Sequence, residues 1–310
     1  MTYDKTVDFL VIGTGAAGIS AALYASSAGR SVMLCEKASK IGGTTALSNA
    51  MIWIPCSDHA VAAGIDDSIE KAKTYLRGEL GDFYNEKKID TYLHNGPTAI
   101  SQIEKISEIK FFLAGAPDYH SNKVGGLDKG RALSPTPFDG RKLKKDFDLI
   151  GDPIRVVLGG MMITSSEIKY FLNPIKSVKA LLHVLSRVCR YAIDRLRFSR
   201  GTELSGGNAF LAAALMSIRK FKINLSTETA LKELIIENEK TVGAIVTHRS
   251  SDIRVKAKYG VILATGGFAA NPALRKNIGA KHQHDVTLCA RENQGNGIQV
   301  ADAAGGALDL

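Results

Sequence analysis

The fold of this chain is decided near its start by residues 7–18, VDFLVIGTGAAG. The first half, Val7–Ile12, is short and apolar, which is typical of a buried parallel strand. Strong helix formers follow from Ala16 to Ala28, and Gly29 supplies the usual end of such a helix. Residues 31–36 predict a second strand. The order of these elements predicts a βαβ unit, and therefore a parallel sheet with helices on its faces.

The glycines of this stretch have the spacing of a dinucleotide-binding turn. Gly13 permits the tight turn, Gly15 lets a pyrophosphate approach the backbone, and Gly18 lets the helix pack closely on the strand. The phosphates would then lie at the helix N-terminus, which carries a partial positive charge. Glu36 ends the second strand, where a carboxylate can accept hydrogen bonds from ribose hydroxyls. These features together predict a dinucleotide site.

Two further glycine-rich turns favour FAD over NAD as the nucleotide. Gly42-Gly43-Thr44-Thr45 follows closely behind the βαβ unit and can present backbone N–H groups to an extended cofactor. Ala264-Thr265-Gly266-Gly267 supplies another close backbone approach late in the chain. Each turn alone is also typical of an ordinary loop, so the prediction of FAD depends on the three occurring together.

The composition excludes several classes of protein. A hydrophobic fraction of 45% over 310 residues excludes a disordered chain. Cys35, Cys56, Cys189 and Cys289 form no Cys-x-x-Cys pair, so we expect reduced thiols rather than a disulfide framework or a zinc site. No segment approaches the ~18 apolar residues of a membrane-spanning helix, and no secretory signal fits before Val7. We therefore expect a cytoplasmic protein.

Local patterns predict the organisation of the remaining chain. Asp67-x-x-Glu70 has the form of a capping box and predicts a helix that extends to about Gly78. The Gly- and Pro-rich residues 115–139 predict a long loop. Residues 231–237 and 242–248 flank a polar turn and predict a hairpin.

The segment 169–200 carries most of the net charge, +7 of the chain's +9. Its apolar residues have helical spacing, and they predict a helix over Phe171–Phe198. This helix either packs its apolar face on the core and leaves a solvated basic face, or lies on an anionic membrane surface. We favour the packed helix, because only Phe171 and Phe198 are bulky anchors beside the apolar face.

Other functions lack the motifs that they need. His282-x-His284 could place two rings on one strand face, but no third ligand has a recognisable spacing, so we predict no metal site. The chain has no Gly-x-Ser-x-Gly elbow of a hydrolase and no phosphate loop with Gly-Lys-Ser/Thr. It also has no recognisable nucleic-acid reading module, so we expect no nucleic-acid partner.

The flavin motifs together resemble the flavoprotein family of fumarate reductase, succinate dehydrogenase and 3-ketosteroid Δ1-dehydrogenase. They are Gly13–Gly18, Glu36-Lys37, Gly42–Thr45, Trp53-Ile54-Pro55, Ala264–Phe268 with Asn271, and Gln294–Ile298. The steroid-dehydrogenase branch is the most similar. The loop that begins with Pro117-Asp118-Tyr119 resembles the loop between the flavin elements in that branch and in related FAD-dependent oxidoreductases. The resemblance spans almost the whole chain.

This resemblance implies a doubly wound, Rossmann-like α/β domain that binds FAD and belongs to a dehydrogenase or reductase of CH–CH bonds. Its implied cofactor contacts are Gly13, Gly15, Ala16, Ala17, Gly18, Glu36, Lys37, Gly42, Gly43, Thr44, Thr45, Ala46, Ser48, Ala230, Ala264, Thr265, Gly266, Gly267 and Asn296. The implied substrate is a 3-ketosteroid-like or other hydrophobic ketone, with an electron acceptor as a second partner. Tyr119 matches a tyrosine that lies beside the substrate and assists catalysis.

The chain departs from the family pattern at two places near the cofactor. Asn296 stands where the family usually has Asp, and Ser48-Asn49-Ala50 stands where it usually has Ser-Gly-Gly, so we expect altered flavin affinity or redox potential.

The resemblance also implies domain bounds. We expect an FAD-binding domain over 1–271, with a core of 1–57 and 201–271 and a mainly helical insertion over 58–200. Residues 272–310 would begin a capping domain that this chain does not complete. The alternative interpretation is therefore an inactive flavin-binding remnant, or an interaction module that uses the basic helix.

Overall fold

The computed structural model describes residues 2–154, 156–164, 166–277 and 287–307. The strands are β1 (Lys5–Ile12), β2 (Val32–Cys35), β3 (Ile52–Trp53), β4 (Phe111–Leu113), β5 (Ala132–Pro135), β6 (Phe138–Asp139), β7 (Glu203–Leu204), β8 (Asn224–Ser226), β9 (Thr229–Glu237), β10 (Lys240–His248) and β11 (Ser251–Leu263). The α-helices are α1 (Ala16–Ser27), α2 (Thr44–Leu47), α3 (Asp58–Ala62), α4 (Ile69–Leu80), α5 (Glu86–Ile106), α6 (Ile168–Leu172), α7 (Val178–Asp194), α8 (Gly206–Lys220), α9 (Pro272–Asn277) and α10 (Asn296–Ala303). Short 3₁₀ helices cover Gly81–Phe83, Gly140–Leu149 and Pro174–Lys176.

The main sheet has the strand order β8-β2-β1-β11-β10-β9. Its first four strands run parallel, whereas β10 is antiparallel to both β11 and β9. The central strand β1 aligns Ile12 with Cys35 on one side and with Leu263 on the other. The predicted Rossmann-like α/β fold is therefore confirmed, and the predicted hairpin forms β9 and β10.

The core of the sheet is aliphatic. Leu10, Met33, Ala244 and Val255 are completely buried within it, and burial of such side chains is the main favourable term in folding. Small residues let helices approach closely, and most side chains of α8 are buried. This packing explains why the segment of α8 is rich in alanine.

The chain forms two compact units. The first comprises Met1–Ser48 and Pro137–Leu310, and the second comprises Asn49–Thr136. Packing thus groups residues 137–200 with the nucleotide-binding core, whereas the sequence-based division places them in the insertion. That division into 1–57, 58–200, 201–271 and 272–310 stays a prediction.

The second unit contains the small antiparallel sheet β3-β5-β4 together with α3, α4 and α5. The predicted capping box is wrong, because the N-cap of α4 is Ser68, whose hydroxyl accepts a hydrogen bond from Lys71 N at 3.1 Å. The Asp67 carboxylate binds Arg131 instead. The predicted loop over 115–139 is also wrong in part, since β5 and β6 lie within it.

The predicted helix Phe171–Phe198 is interrupted. Asn173 leaves helical geometry before Pro174, and the 3₁₀ turn Pro174–Lys176 separates α6 from α7. The interpretation of a core-packed apolar face is wrong, because Val178 and Leu182 are exposed whereas Arg187 is buried. No helix in the described part of the chain is both long and apolar enough to cross a membrane.

Candidate functional site

The candidate site lies where three parallel strands end. Gly13 follows β1, Glu36 follows β2 and Ala264 follows β11, and the register of these strands brings the three residues to one edge of the sheet. In open α/β sheets, ligands bind in the crevice at the carboxyl ends of the strands. A cavity of about 610 Å³ opens at this edge, within the size range of small-molecule and cofactor sites.

Two positions in the first turn admit only glycine. Gly13 has φ +105°, and a Cβ there would lie 2.2 Å from the carbonyl oxygen of Ala264. A Cβ on Gly18 would lie 1.9 Å from the carbonyl oxygen of Gly13. The first turn, α1 and the end of β11 therefore touch through backbone atoms, as the sequence predicted for a tight dinucleotide-binding turn.

Gly15 leaves the N-terminus of α1 open toward the cavity. It is the N-cap residue and provides no side-chain cap, and within the described part of the chain a Cβ there would meet only Thr45 Oγ1, at 3.6 Å. Thr45 Oγ1 also accepts a hydrogen bond of 3.0 Å from Ala16 N. The N–H groups at a helix N-terminus and its partial positive charge suit a phosphate group.

A buried hydrogen-bond network fixes the acid at the end of β2. Glu36 Oε2 accepts hydrogen bonds from both the backbone N–H (3.1 Å) and the hydroxyl of Thr14, and Glu36 Oε1 accepts one from Ala38 N at 3.0 Å. Thr14 Oγ1 in turn accepts a hydrogen bond of 3.0 Å from Gly42 N. The network ties the first glycine turn to the second and holds the Glu36 carboxylate at the cavity wall.

Lys37 brings a positive charge to the same wall. Its ammonium donates a hydrogen bond of 2.8 Å to Asn296 Oδ1, and both residues line the cavity. Burial lowers the pKa of Lys37, although the negative charges of Glu36 and Glu292 oppose that shift. Asn296 begins α10, so this helix contributes to the cavity together with the strand ends.

The second glycine turn is held in place by α8. A Cβ on Gly207 would lie 1.7 Å from the carbonyl oxygen of Thr45, so the two backbones are in direct contact. The buried Asn208 donates a hydrogen bond of 2.9 Å to the carbonyl oxygen of Ala46, and Gly207 N donates one of 3.0 Å to that of Ser48. Ala46 and Ser48 thus support the turn through their backbones.

Asn293 and Thr44 link this turn to a late segment of the chain. Asn293 Nδ2 donates a hydrogen bond of 2.9 Å to Thr44 Oγ1, which also accepts one of 3.1 Å from Ala290 N. Asn293 lines the cavity and approaches Gly266, where a Cβ would lie 2.9 Å from its Oδ1.

In the second unit, the loop after β4 is anchored by Asp118. Asp118 Oδ2 accepts hydrogen bonds from Arg131 Nη1 at 2.8 Å and from Leu127 N at 2.9 Å, and Oδ1 accepts one from Trp53 Nε1 at 2.6 Å. The next residue, Tyr119, has a completely exposed side chain. The fold therefore fixes the base of this loop and leaves the Tyr119 phenol in solvent.

The sequence matches the family described as "FAD binding domain" over residues 8–310. The chain belongs to this family. Its cofactor is FAD, as the three glycine-rich turns predicted.

Relatives of known activity and structure agree with this assignment. The chain is 33% identical to a 3-oxosteroid 1-dehydrogenase of Mycolicibacterium smegmatis over 98% of this chain and 54% of that protein. It is 34% identical to a 4-oxocyclohex-2-ene-1-carboxylate 5-dehydrogenase of Sinomonas cyclohexanicum over 99% of this chain and 53% of that protein. A crystal structure of 3-ketosteroid Δ1-dehydrogenase from Sterolibacterium denitrificans, in complex with 1,4-androstadiene-3,17-dione, has a TM-score of 0.87 and 27% identity over 99% of this chain and 56% of that one.

The chain spans about half the length of the curated relatives it matches. The match to the FAD-binding family covers residues 8–310. The activity of a whole relative is not assigned to the chain by this match.

The cavity walls fit FAD. Glycine backbones line it without side chains, the N-terminus of α1 lies at it with no side chain on its N-cap Gly15, and a fixed carboxylate with lone pairs for hydroxyl donors lies at one wall. Among the predicted cofactor contacts, those that line the cavity are Gly13, Gly15, Ala16, Ala17, Glu36, Lys37, Gly42, Gly43, Thr44, Thr45, Ala230, Ala264, Thr265, Gly266 and Asn296.

Four other predicted contacts do not line the cavity. Gly18, Ala46, Ser48 and Gly267 are not among the residues that line the FAD cavity, so a direct contact from them stays a prediction. Sequence reasoning missed Thr14 and Asn293, although both are immediate neighbours of motif residues. His282 and His284 lie outside the described residues.

Proposed function

We propose that this chain is the FAD-binding part of a dehydrogenase that acts on a CH–CH bond of a 3-ketosteroid-like or other hydrophobic ketone. The FAD cavity at the strand ends carries this proposal, and the named activities of the relatives support the substrate class. The reaction removes a proton from the carbon next to the ketone and a hydride from the neighbouring carbon, which leaves a carbon–carbon double bond. FAD supplies the hydride acceptor, at its N5 atom, when bound.

The residues of the first unit hold and orient the cofactor in this proposal. The turn at Gly13 and Gly15 receives the pyrophosphate against the N-terminus of α1, and the Glu36 carboxylate accepts hydrogen bonds from ribose hydroxyls. Lys37 adds a positive charge at the wall, which favours the negatively charged phosphates. These contacts contribute affinity and position rather than proton transfer.

Tyr119 is proposed to act on the substrate through its phenol. Dehydrogenation next to a ketone needs a base for the proton and a donor to the ketone oxygen, and a phenol beside the substrate can assist either step. Its complete exposure and the anchored base of its loop support this role, since the group is available to a ligand.

The partners in this proposal are a small hydrophobic substrate, an electron acceptor and the surface of a membrane, contacted peripherally through residues 169–200. A cytoplasmic location, beside the inner membrane face, is part of the same proposal. The four cysteines are all free thiols, which suits a reducing compartment.

A spectrum and a turnover assay test the proposal together. The purified chain is expected to be yellow, or to become so after addition of FAD and gel filtration. It is then mixed with a 3-ketosteroid and an artificial electron acceptor. Turnover supports the dehydrogenase; yellow protein without turnover supports the inactive flavin-binding remnant; colourless protein that does not take up FAD contradicts the cofactor site itself.

A further inference from the structure

The helical segment 168–198 turns its charged side toward its own unit. Arg187 is buried, and its Nε lies 2.9 Å from the Glu167 carboxylate. Asp194 is also buried, and its carboxylate accepts hydrogen bonds from the backbone N–H and the hydroxyl of Thr202 at 3.0 and 2.7 Å. An ion pair and hydrogen bonds thus hold α7 in place where an ordinary amphipathic helix would use aliphatic packing.

Arg190 extends the inward row of charges. It donates a hydrogen bond of 3.0 Å to Asp139, and both Arg187 and Arg190 form ion pairs with Glu203. Two of the acids that pair with these arginines, Asp139 and Glu203, belong to β6 and β7, and the third, Glu167, precedes α6. The orientation of α7 is therefore fixed by specific partners on its polar side.

The opposite side of the segment exposes large aliphatic side chains to solvent. Ile175 is 88% exposed, Val178 is 75% exposed and Leu182 is 60% exposed. We call the whole set the apolar face; it consists of Ile168, Leu172, Ile175, Val178, Leu181, Leu182, Leu185, Ile193 and Leu196. Val178, Leu182 and Leu185 are three or four residues apart, so they form one stripe along α7. A contiguous exposed patch of this kind marks an interaction surface.

Positive charges flank the apolar face. The exposed basic residues of the segment are Lys169, Lys176, Lys179, Arg195 and Arg197. The sequence has no Asp or Glu between Ile168 and Ile193, so the flank carries charge of one sign only. An anionic lipid leaflet complements both features at once, because it offers phosphates at the surface and acyl chains beneath them.

A basic groove adjoins the C-terminal end of the apolar face. It has a volume of about 660 Å³, and its walls include Lys144, Lys145 and Arg197 beside Ile193 and Leu196. Arg141 also lines it, but its guanidinium is paired with Asp139 at 2.6 Å. Its two acids are engaged, since Asp194 binds Thr202 and Asp148 accepts a hydrogen bond of 2.5 Å from Ser199 Oγ. Positive groups next to exposed aliphatic ones suit a phosphate headgroup with its acyl chains.

We propose that residues 168–198 dock onto an anionic phospholipid membrane. The apolar face enters the boundary between headgroups and acyl chains, and Lys169, Lys176 and Lys179 contact lipid phosphates at the rim. A helix in this arrangement lies in the plane of the interface. This docking gives a surface and a lipid class to the membrane contact in the proposed function, and it does not rest on the flavin chemistry.

Vesicle co-sedimentation tests the docking with the whole chain. The chain is expected to pellet with phosphatidylcholine vesicles that contain phosphatidylglycerol, to pellet much less with pure phosphatidylcholine, and to be released in part by high salt. The double variant Leu182→Glu, Leu185→Glu should lower the partition coefficient at least about tenfold. Two apolar side chains that enter the lipid in the docked state are then replaced by negative charges that the anionic leaflet repels. Both side chains are exposed in the unbound chain, so the fold should persist.

Phe83→Glu is the matched control. Phe83 is 87% exposed and lies in the second unit, so the same kind of substitution there should leave vesicle binding unchanged. Circular dichroism and FAD titration report whether each variant is folded. A chain that takes no FAD yet still pellets through Leu182 and Leu185 would contradict only the flavin proposal.

Three outcomes would overturn the docking. The first is wild-type chain that stays in the supernatant with both kinds of vesicle. The second is a double variant that pellets as well as the wild type. The third is a dimer in light scattering that the double variant converts to a monomer, with no vesicle binding, which would assign the apolar face to a second copy of the chain.

Discussion

The Lys37 ammonium and the Asn296 amide oxygen are joined by a hydrogen bond of 2.8 Å at the wall of the FAD cavity. The amide accepts the hydrogen bond but carries no charge, whereas the aspartate that the family usually has at this position would carry one. In the proposed function, Asn296 therefore leaves the positive charge of Lys37 available to the cofactor phosphates. The departure of this sequence from the family pattern thus changes the electrostatics of the site while it keeps a hydrogen-bond partner.

Replacement of Lys37 by Gln should weaken FAD binding about tenfold, because the variant loses a cation near the phosphates. The measurement is the dissociation constant of FAD from quenching of flavin fluorescence. Lys40→Gln is the matched control, since Lys40 forms a surface ion pair of 2.7 Å with Asp152 and does not line the cavity. Equal affinities of the two variants would show that Lys37 does not face the phosphates.

FAD affinity should also decrease as the pH rises toward alkaline values. Burial lowers the pKa of Lys37 below 10.5, so its ammonium loses its proton, and its attraction for phosphate, before an ordinary lysine does. Bound phosphates stabilise the ammonium, so the free protein titrates at a lower pH than the complex. The dissociation constant of the wild type should therefore rise with pH, while that of Lys37→Arg stays constant. A parallel rise in both proteins would assign the titration to another group.

Gly18 and Gly267 should respond differently to alanine. In Gly18→Ala the new Cβ would lie 1.9 Å from the carbonyl oxygen of Gly13, so α1 must shift and the free energy of unfolding should fall by more than about 2 kcal/mol. Among the residues that the structure describes, nothing lies within 4 Å of a Cβ on Gly267, so Gly267→Ala should keep the stability of the wild type. Thermal unfolding measures both effects. A Gly267→Ala variant that is stable but binds FAD poorly would show that Gly267 contacts the cofactor directly. A Gly18→Ala variant as stable as the wild type would contradict the close contact between Gly18 and the carbonyl oxygen of Gly13.

The sequence predicted the nucleotide-binding elements well because their determinants are local. Residues 7–18 combine an apolar strand, glycines at fixed spacing and a helix, and each part constrains the backbone of its own neighbourhood. Thr14 and Asn293 were missed for a different reason. Their contribution depends on Glu36 and Thr44, which are distant in sequence and become neighbours only in the folded chain.

The wrong predictions, of the capping box and of the side of the helix that packs on the protein, also result from partners that are distant in sequence. Asp67 has the spacing of a capping residue, but Arg131, 64 residues later, takes its carboxylate at 2.6 Å, and Ser68 caps the helix instead. Helical periodicity in 171–198 identifies an amphipathic segment without showing which side faces the protein. The side that faces the protein is determined by Glu203 and Asp139, which neutralise arginines on the polar side of the segment.

Arg131 should be essential for the second unit. It is buried, and it binds Asp67 at 2.6 and 2.9 Å and Asp118 at 2.8 Å. Arg131→Met leaves two buried carboxylates without their cation, so the free energy of unfolding should fall by about 3–5 kcal/mol. Limited proteolysis should also cut the loop after Tyr119 faster, since Asp118 loses the ion pair that fixes its base.

Arg77→Gln is the matched control for this prediction. Arg77 lies in the same unit and pairs with Glu86 at 2.7 Å, but both side chains are more than half exposed, so little stability should be lost. Equal stability of Arg131→Met and Arg77→Gln in chemical denaturation would contradict a structural role of the buried cluster.

Thiol reactivity should distinguish the outward side of α7 from the core. Cys189 is exposed and lies four residues after Leu185 in α7, whereas Cys35 is buried. Burial raises the pKa of the Cys35 thiol to about 12. In the native chain at neutral pH, a thiol reagent should therefore modify Cys189 and spare Cys35.

Phosphatidylglycerol vesicles should slow the modification of Cys189 severalfold, because docking covers this side of the helix. The half-buried Cys56 serves as the internal control, and mass spectrometry assigns each site. Modification of Cys189 at the same rate with and without vesicles would place this side of α7 in water, and modification of Cys35 before unfolding would contradict the packing of the sheet.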